Sequence, residues 1–241
     1  IVSNFTGPYD QDVLSLDNRK THFSYGFVRP ENFIFSPTKL DRKKHICLLG
    51  SVEYINEPEV NPFFTSSWYA DIFQSLIQQG FVLHLFTSTK PKGNTDPYAE
   101  LAANYPENFY HHGFIPGNEL LQAISGFDFG LGLINLNQPV LEAYDYQLSS
   151  MLHARLISYL SAGLPIIINQ ENKLANQFFS PFNVAICVKH NDVDTIAKTI
   201  SEVDLNMMKQ SVLEFQQWYR QNKPQQQIAD FIDQAVNGSK Q

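Results

Sequence analysis

The sequence predicts an α/β fold, a Rossmann-like doubly wound parallel sheet preceded by a short N-terminal extension. Three observations carry that prediction. Short apolar runs alternate with amphipathic helical stretches at spacings of roughly 20 to 30 residues, the rhythm of βα units. The runs are continuous rather than alternating, as in Ile46–Leu49 and Ile166–Ile168, which is the pattern of strands buried on both faces. The stretch from Ser149 to Ile168 also reads as a helix running straight into a core strand. Leu152, Leu156, Ile157 and Leu160 make its apolar stripe, Ser149 or Ser150 caps it, Gly163 supplies a left-handed stop, and Pro165 opens the β-branched run.

Residues 1–43 carry the breakers Gly7-Pro8, Tyr25-Gly26, Arg29-Pro30 and Ser36-Pro37 among many aromatics. They read as an extension or linker with short strands at Phe23–Val28 and Phe33–Phe35. The Rossmann-like domain takes residues 44–236, and residues 237–241 form a frayed tail. Its first strand, His45–Leu49, is entered through the solvated cluster Asp41-Arg42-Lys43-Lys44 and ended by Gly50-Ser51. The first helix spans Thr65–Gln79, with Trp68, Ile72, Phe73, Leu76 and Ile77 at helical spacing, Ser66 or Ser67 as cap and Gly80 as stop. Strand Phe81–Phe86, helix Tyr98–Tyr105, strand Asn108–His112, helix Asn118–Ser125 and strand Phe127–Ile134 follow. Asn135–Gln147 has no period and reads either as a lid over the site or as an ordinary surface loop. After the Ser150–Ala162 helix and the Ile166–Ile168 strand come helix Glu171–Phe179, strand Val184–Val188 and helix Asp192–Val203. Helices Leu205–Asn222 and Gln225–Val236 end the domain, separated by Pro224. The expected sheet has about six strands, with Leu48, Leu83, Leu131 and Ile167 in its core.

A net charge of −7 excludes non-specific binding of nucleic acid, which needs clustered Lys and Arg to neutralise phosphates. No apolar run approaches the roughly 18 residues that a membrane span needs, and no signal peptide is visible. Cys47 and Cys187 lie inside apolar runs and read as buried free thiols, which favours a reducing compartment and a cytoplasmic location. The chain begins at Ile1, the mark of a fragment or a processed chain.

In doubly wound sheets ligands bind beyond the carboxyl ends of the strands. That puts Gly50 and Ser51 in the candidate site, glycine allowing the backbone to approach a phosphate closely. The start of the Ser150–Ala162 helix offers a second part: unpaired first-turn N–H groups, the hydroxyls of Ser149 and Ser150, and the Arg155 guanidinium together favour an anion. Each residue has a plainer alternative, the serines as caps only and Arg155 as an exposed helix residue. The pair His111-His112 does not suit one metal ion, because neighbouring residues on a strand face opposite ways, and no metal site is expected.

The Leu156–Ile168 segment resembles the motif S-P-x-K-L-x-E-Y-x-A-x-G-x-P-V-I in the C-terminal domain of GT-B glycosyltransferases, the retaining, nucleotide-sugar-dependent group of the family-4 type. Leu156, Tyr159, Gly163 and Pro165 fall on its positions, Arg155 stands where the family has a basic residue, and His153 stands at its proline. His112-Gly113-Phe114-Ile115-Pro116 is similar to the family's turn against the nucleobase, and Asp128–Leu133 to its A-D-V-G-L-A strand. The resemblance covers roughly residues 44–220. It implies a donor domain that holds a UDP-, GDP- or ADP-sugar as substrate, with no cofactor and no metal, facing an N-terminal acceptor domain. It implies phosphate contacts from Gly50, Ser51, Ser149, Ser150 and Arg155, and base or ribose contacts from Phe114, Ile115 and Ser158; the catalytic residue stays unassigned. Ser158 takes the place of the glutamate that in the family holds the donor ribose. Val52, Glu53 and Tyr54, with Glu57 and Glu59 beyond, make the loop after Gly50 acidic where the family is basic. These departures keep a second reading open, a non-catalytic structural or interaction domain that has lost donor binding.

Overall fold

The computed structural model describes residues 2–3, 22–23, 30–34, 40–54, 68–91, 96–134, 152–189 and 193–223. The expected Gln225–Val236 helix, the 135–147 segment, the caps Ser66 and Ser67, and Ser149 and Ser150 lie outside the described residues.

Among the described residues six strands form one parallel sheet: β1 (His45–Leu49), β2 (Val82–Phe86), β3 (Phe109–His111), β4 (Phe129–Leu131), β5 (Ile166–Asn169) and β6 (Ala185–Val188). Their order is β3-β2-β1-β4-β5-β6, with every neighbouring pair parallel. Chain direction across the sheet reverses at β1, so the crevice in which such folds bind ligands opens between the carboxyl ends of β1 and β4. Seven helices among the described residues cover the sheet: α1 (Ala70–Gln78), α2 (Pro97–Asn104), α3 (Gly117–Ile124), α4 (Ala154–Ser161), α5 (Lys173–Phe179), α6 (Val193–Glu202) and α7 (Leu205–Asn222).

Two cores flank the sheet. On one face Ile46, Leu48, Leu83, Leu131 and Ile167 pack with Ile72, Phe73 and Leu76 of α1 and with Ile196 and Ile200 of α6. On the other, Cys47, Leu49, Ile166 and Ile168 pack with Leu156, Tyr159 and Leu160 of α4 and with Val212 and Phe215 of α7. Both faces of the central strands are therefore dry, which is why their sequences run apolar without alternation. The four expected core residues Leu48, Leu83, Leu131 and Ile167 are all buried.

Local chemistry sets several boundaries. Asp96 accepts from the N–H groups of Tyr98 and Ala99 at 3.0 Å, and Pro97 sits where its missing donor costs nothing. Asn172 and Asp204 cap α5 and α7 in the same way. Other boundaries differ from expectation. Leu152 and His153 are not helical, so α4 begins at Ala154 with His153 as N-cap, and His153 gives no side-chain cap. β4 stops at Leu131 because the Asn169 side chain takes over the pairing further on, accepting from Ile134 N–H at 2.7 Å and donating to its carbonyl at 3.1 Å. Phe33 and Ile34 make no strand. Phe33 packs on Tyr219, and Ile34 is held by Ser161 O and by the Gln216 amide. Near Phe23 the described structure is a two-residue parallel pairing, Val2–Ser3 with His22–Phe23. Cys47 is buried, but Cys187 on the edge strand β6 is exposed, its thiol donating to Asn176 Oδ1.

Gly130 is demanded by packing. A Cβ there would fall inside the ring of Tyr159, and one at Gly132 would meet the Leu156 side chain. Gly130→Ala is therefore expected to cost about 1–3 kcal/mol or more, as overpacking of a rigid core does, read as a lower urea midpoint at unchanged slope. An unchanged midpoint would show that α4 does not lie on β4 in this way.

Candidate functional site

The ends of β1 and β2 and the turn after β3 frame a cavity of about 210 Å³. Leu49, Gly50 and Ser51 form one wall, Phe86, Thr87 and Ser88 the floor, and Gly113, Phe114 and Ile115 the opposite wall. Gly50 has φ +119° and Gly113 φ +70°, conformations that side-chain-bearing residues resist, so both turns need glycine to bend where the cavity begins. Phe114 is 73% exposed, a large aromatic left without cover at the rim.

Arg155, in the first turn of α4, lies under the Gly50 turn. Its Nη1 is 4.0 Å from the place that a Gly50 Cβ would occupy and 3.5 Å from Leu49 O; its Nη2 donates to Leu133 O at 3.0 Å and reaches the Tyr69 hydroxyl at 3.4 Å. The guanidinium thus ties the ends of β1 and β4 to the residue preceding α1. Its Nε is buried with no hydrogen-bond partner. His153 Nε2 is likewise buried and unpartnered, and burial, helped by the Arg155 charge, lowers the pKa of this imidazole to about 3. Ser158 is half-buried, and its hydroxyl bonds back to Ala154 O at 3.3 Å.

Gly50, Ser51, Phe114 and Ile115 therefore line one cavity, Arg155 lies beside the Gly50 turn outside that lining, and Ser158 points its hydroxyl at its own helix. Sequence reasoning missed the residues that hold these parts together. The Tyr159 hydroxyl accepts from Leu49 N–H at 2.8 Å and donates to Leu131 O at 3.1 Å; the Tyr69 hydroxyl donates to Leu133 O at 2.9 Å. A tyrosine on the apolar face of a helix that precedes a core strand was the available signal, since a buried phenol must find partners. Asn169, a polar side chain closing an apolar run, was another.

A chain of histidines runs along the sheet toward its carboxyl end. His45 Nδ1 is 2.8 Å from His84 Nε2, His84 Nδ1 is 2.9 Å from His112 Nε2, and His45 Nε2 is 3.0 Å from Asp41 Oδ1. Phe127 stacks on His84, and Phe86 on His112. Burial and the neighbouring imidazoles lower the His84 pKa to about 3, and burial, with His111 beside it, lowers that of His112. Among the described residues no group of three or more His, Cys, Asp or Glu side chains could hold a metal ion.

The strand order defines a Rossmann-like domain, and its fold is that of the C-terminal half of GT-B glycosyltransferases. Residues 70–229 match the family described as glucosyltransferase 3-like, C-terminal domain, and the chain belongs to that family. Solved structures with the same fold include sucrose-phosphate synthase from Thermosynechococcus elongatus, at TM-score 0.60 and 12% identity over 90% of this chain and 53% of that one. AviGT4, a glycosyltransferase of avilamycin A biosynthesis, gives 0.59 and 10% over 95% and 62%. A trehalose-6-phosphate protein from E. coli bound with UDP-2-fluoro glucose gives 0.53 and 13% over 88% and 51%. The chain thus spans less than two thirds of each of these structures. No curated protein sequence matches it. Among the described residues no helix is long and apolar enough to cross a membrane.

The depressed histidines make stability depend on pH. Folded His84 and His153 bind protons more weakly than unfolded histidine, whose pKa is about 6.5, so their contribution is complete above that pH and is lost as pH falls from there toward about 3. Urea unfolding across this window is expected to show stability falling by up to about 1.4 kcal/mol per pH unit for each of the two groups. His84→Gln should flatten the profile, and a profile already flat in the parent would contradict the buried neutral ladder.

Proposed function

We propose that this chain is the donor-binding half of a GT-B glycosyltransferase, holding a nucleotide-sugar for transfer to an acceptor bound by a second domain. The cavity between the Gly50 and Gly113 turns takes the nucleoside, with the exposed Phe114 ring and Ile115 beside the base. The diphosphate lies against the Gly50-Ser51 backbone and the start of α4, with Ser149 and Ser150 as further donors and Arg155 as the cation. Ser158, one helical turn inside, lies on the ribose side and contributes at most a hydroxyl where relatives use a carboxylate. Departure of a nucleoside diphosphate develops negative charge, which fixed N–H donors and a guanidinium stabilise without a metal. The observation that carries this reading is the Arg155 guanidinium directly beneath a glycine turn at the crevice of the sheet. UDP-2-fluoro glucose bound in a protein of the same fold supports it.

The non-catalytic alternative also rests on Arg155. Its Nη atoms reach Leu49 O, Leu133 O and Tyr69, which is what a purely structural arginine would do. Titration with UDP-, GDP- and ADP-sugars separates the two readings, saturable binding supporting the first and silence across the panel the second. Arg155→Ala is expected to weaken nucleotide binding by about 1.5–3 kcal/mol, the range for a hydrogen bond to a charged group, and Arg155→Lys to recover only part because the fork is missing. Both are measured by calorimetry well below the melting temperature, since removing the guanidinium also leaves Leu49 O and Leu133 O without their donor. Undiminished binding by Arg155→Ala would remove Arg155 from the site.

A further inference from the structure

The histidine chain climbs the sheet. His84 on β2 is level with Cys47 of β1, two residues beyond His45, and with Tyr110 of β3, two residues before His112. Each ring therefore sits further toward the carboxyl edge, and the chain runs from Asp41, about half exposed below β1, to His112, which adjoins the cavity's lining residues without being one of them. His112 precedes Gly113 and stacks on Phe86 at 4.3 Å, and both of those residues line the cavity.

Hydrogen-bond chemistry sets the direction of this chain. An ionised carboxylate only accepts, and Asp41 is held ionised by the Lys43 N–H at 2.6 Å and by His45, which lower its pKa. His45 must then donate from Nε2, which leaves its Nδ1 as acceptor if the ring is neutral. His84 must donate to it from Nε2 and accept at Nδ1, and His112 must donate from its own Nε2. The remaining nitrogen, His112 Nδ1, is left as an acceptor with no partner among the described residues, on an exposed side chain. The other groups facing the chain leave this order intact: Asp128 Oδ2 accepts from the backbone N–H of His45, Tyr110 stacks on His84, and His111 lies beside His112 on the strand.

We propose that Asp41, His45 and His84 act as positioning residues that lock His112 with Nδ1 as a hydrogen-bond acceptor at the cavity, selecting a ligand that donates a ring N–H there. The inference rests on the donor-site reading for its ligand, a base with such a donor, as in uracil or guanine, in preference to one that presents an acceptor, as adenine does. A group at position 41 that can only donate would reverse every bond in turn. His45 would accept at Nε2 and donate from Nδ1, His84 would do the same, and His112 would carry its proton on Nδ1.

Asp41→Lys, a change at an exposed position outside the cavity, tests this. Long-range nitrogen–proton correlation spectra of the imidazoles, at a pH about one unit above the ordinary histidine pKa, distinguish the two tautomers. The parent is expected to show His112 protonated on Nε2, Asp41→Lys on Nδ1, and Asp41→Lys combined with His84→Phe to return His112 toward its uncoupled state. In parallel, UDP or GDP should bind the parent at least about tenfold more tightly than ADP, the size of one hydrogen bond, and that preference should vanish in Asp41→Lys. An unchanged His112 tautomer in Asp41→Lys would overturn the relay, and an unchanged nucleotide preference beside a reversed tautomer would overturn base selection. Failure of the parent to bind UDP, GDP or ADP would overturn the donor reading and the ligand assigned here, while the imidazole signals would still decide the relay.

Discussion

The structure depends on the contact between Tyr159 and Gly130. The phenol ring lies where the Cβ of any other residue at 130 would be, and its hydroxyl accepts from Leu49 N–H while donating to Leu131 O. β1 and β4 are the strands between which the sheet changes direction, and their backbones part at these carboxyl ends. A buried hydroxyl satisfies the two groups that parting would otherwise orphan, each a cost of about 1–3 kcal/mol. Because the ring comes from α4, the same contact fixes the rotation of that helix. It therefore fixes the place of Arg155, one helical turn earlier, beneath Gly50.

From that point the site follows. Arg155 reaches Leu49 O, Leu133 O and Tyr69, so the end of β1, the segment after β4 and the start of α1 are held by one side chain. Asn169 extends the same frame across β5 by pairing with both backbone groups of Ile134. The cavity is thus bordered by two turns that need glycine and lies beside polar side chains that tie the strand ends together. The histidine chain adds a second polar path on the same face, from Asp41 to the cavity edge, built from side chains that lie far apart in sequence.

Much of this architecture was legible from local pattern. Continuous apolar runs identified the six strands to within a few residues, and Gly80 and Gly163 marked helix ends because their backbone preferences act without reference to the rest of the chain. The Gly50 turn was legible for the same reason, and the Gly113 turn through its resemblance to the family's turn. Errors arose where a partner distant in sequence replaced a local rule. The start of α4 falls at Ala154 although serines precede it, and β4 is cut short by a side chain from β5. Cys187 is exposed despite its apolar run, because β6 is an edge strand and no periodicity reveals which strand is outermost.

By itself, then, the amino-acid sequence determined the fold class, the order of elements and the Gly50 turn at the end of the first strand, since these follow from periodicity and backbone sterics within a few residues. Only the tertiary structure decided what the polar residues do. Arg155 read as an exposed helix residue or an anion ligand, and only the structure shows its guanidinium beside Gly50 and on the carbonyls of Leu49 and Leu133; His45, His84 and His112 had no reason to be considered together until strand register brought nitrogens of successive rings within 3 Å. The physical reason is that a hydrogen bond requires alignment within a few tenths of an ångström. Strand order and stagger supply that alignment, and both arise from the packing of the whole sheet rather than from any segment of it.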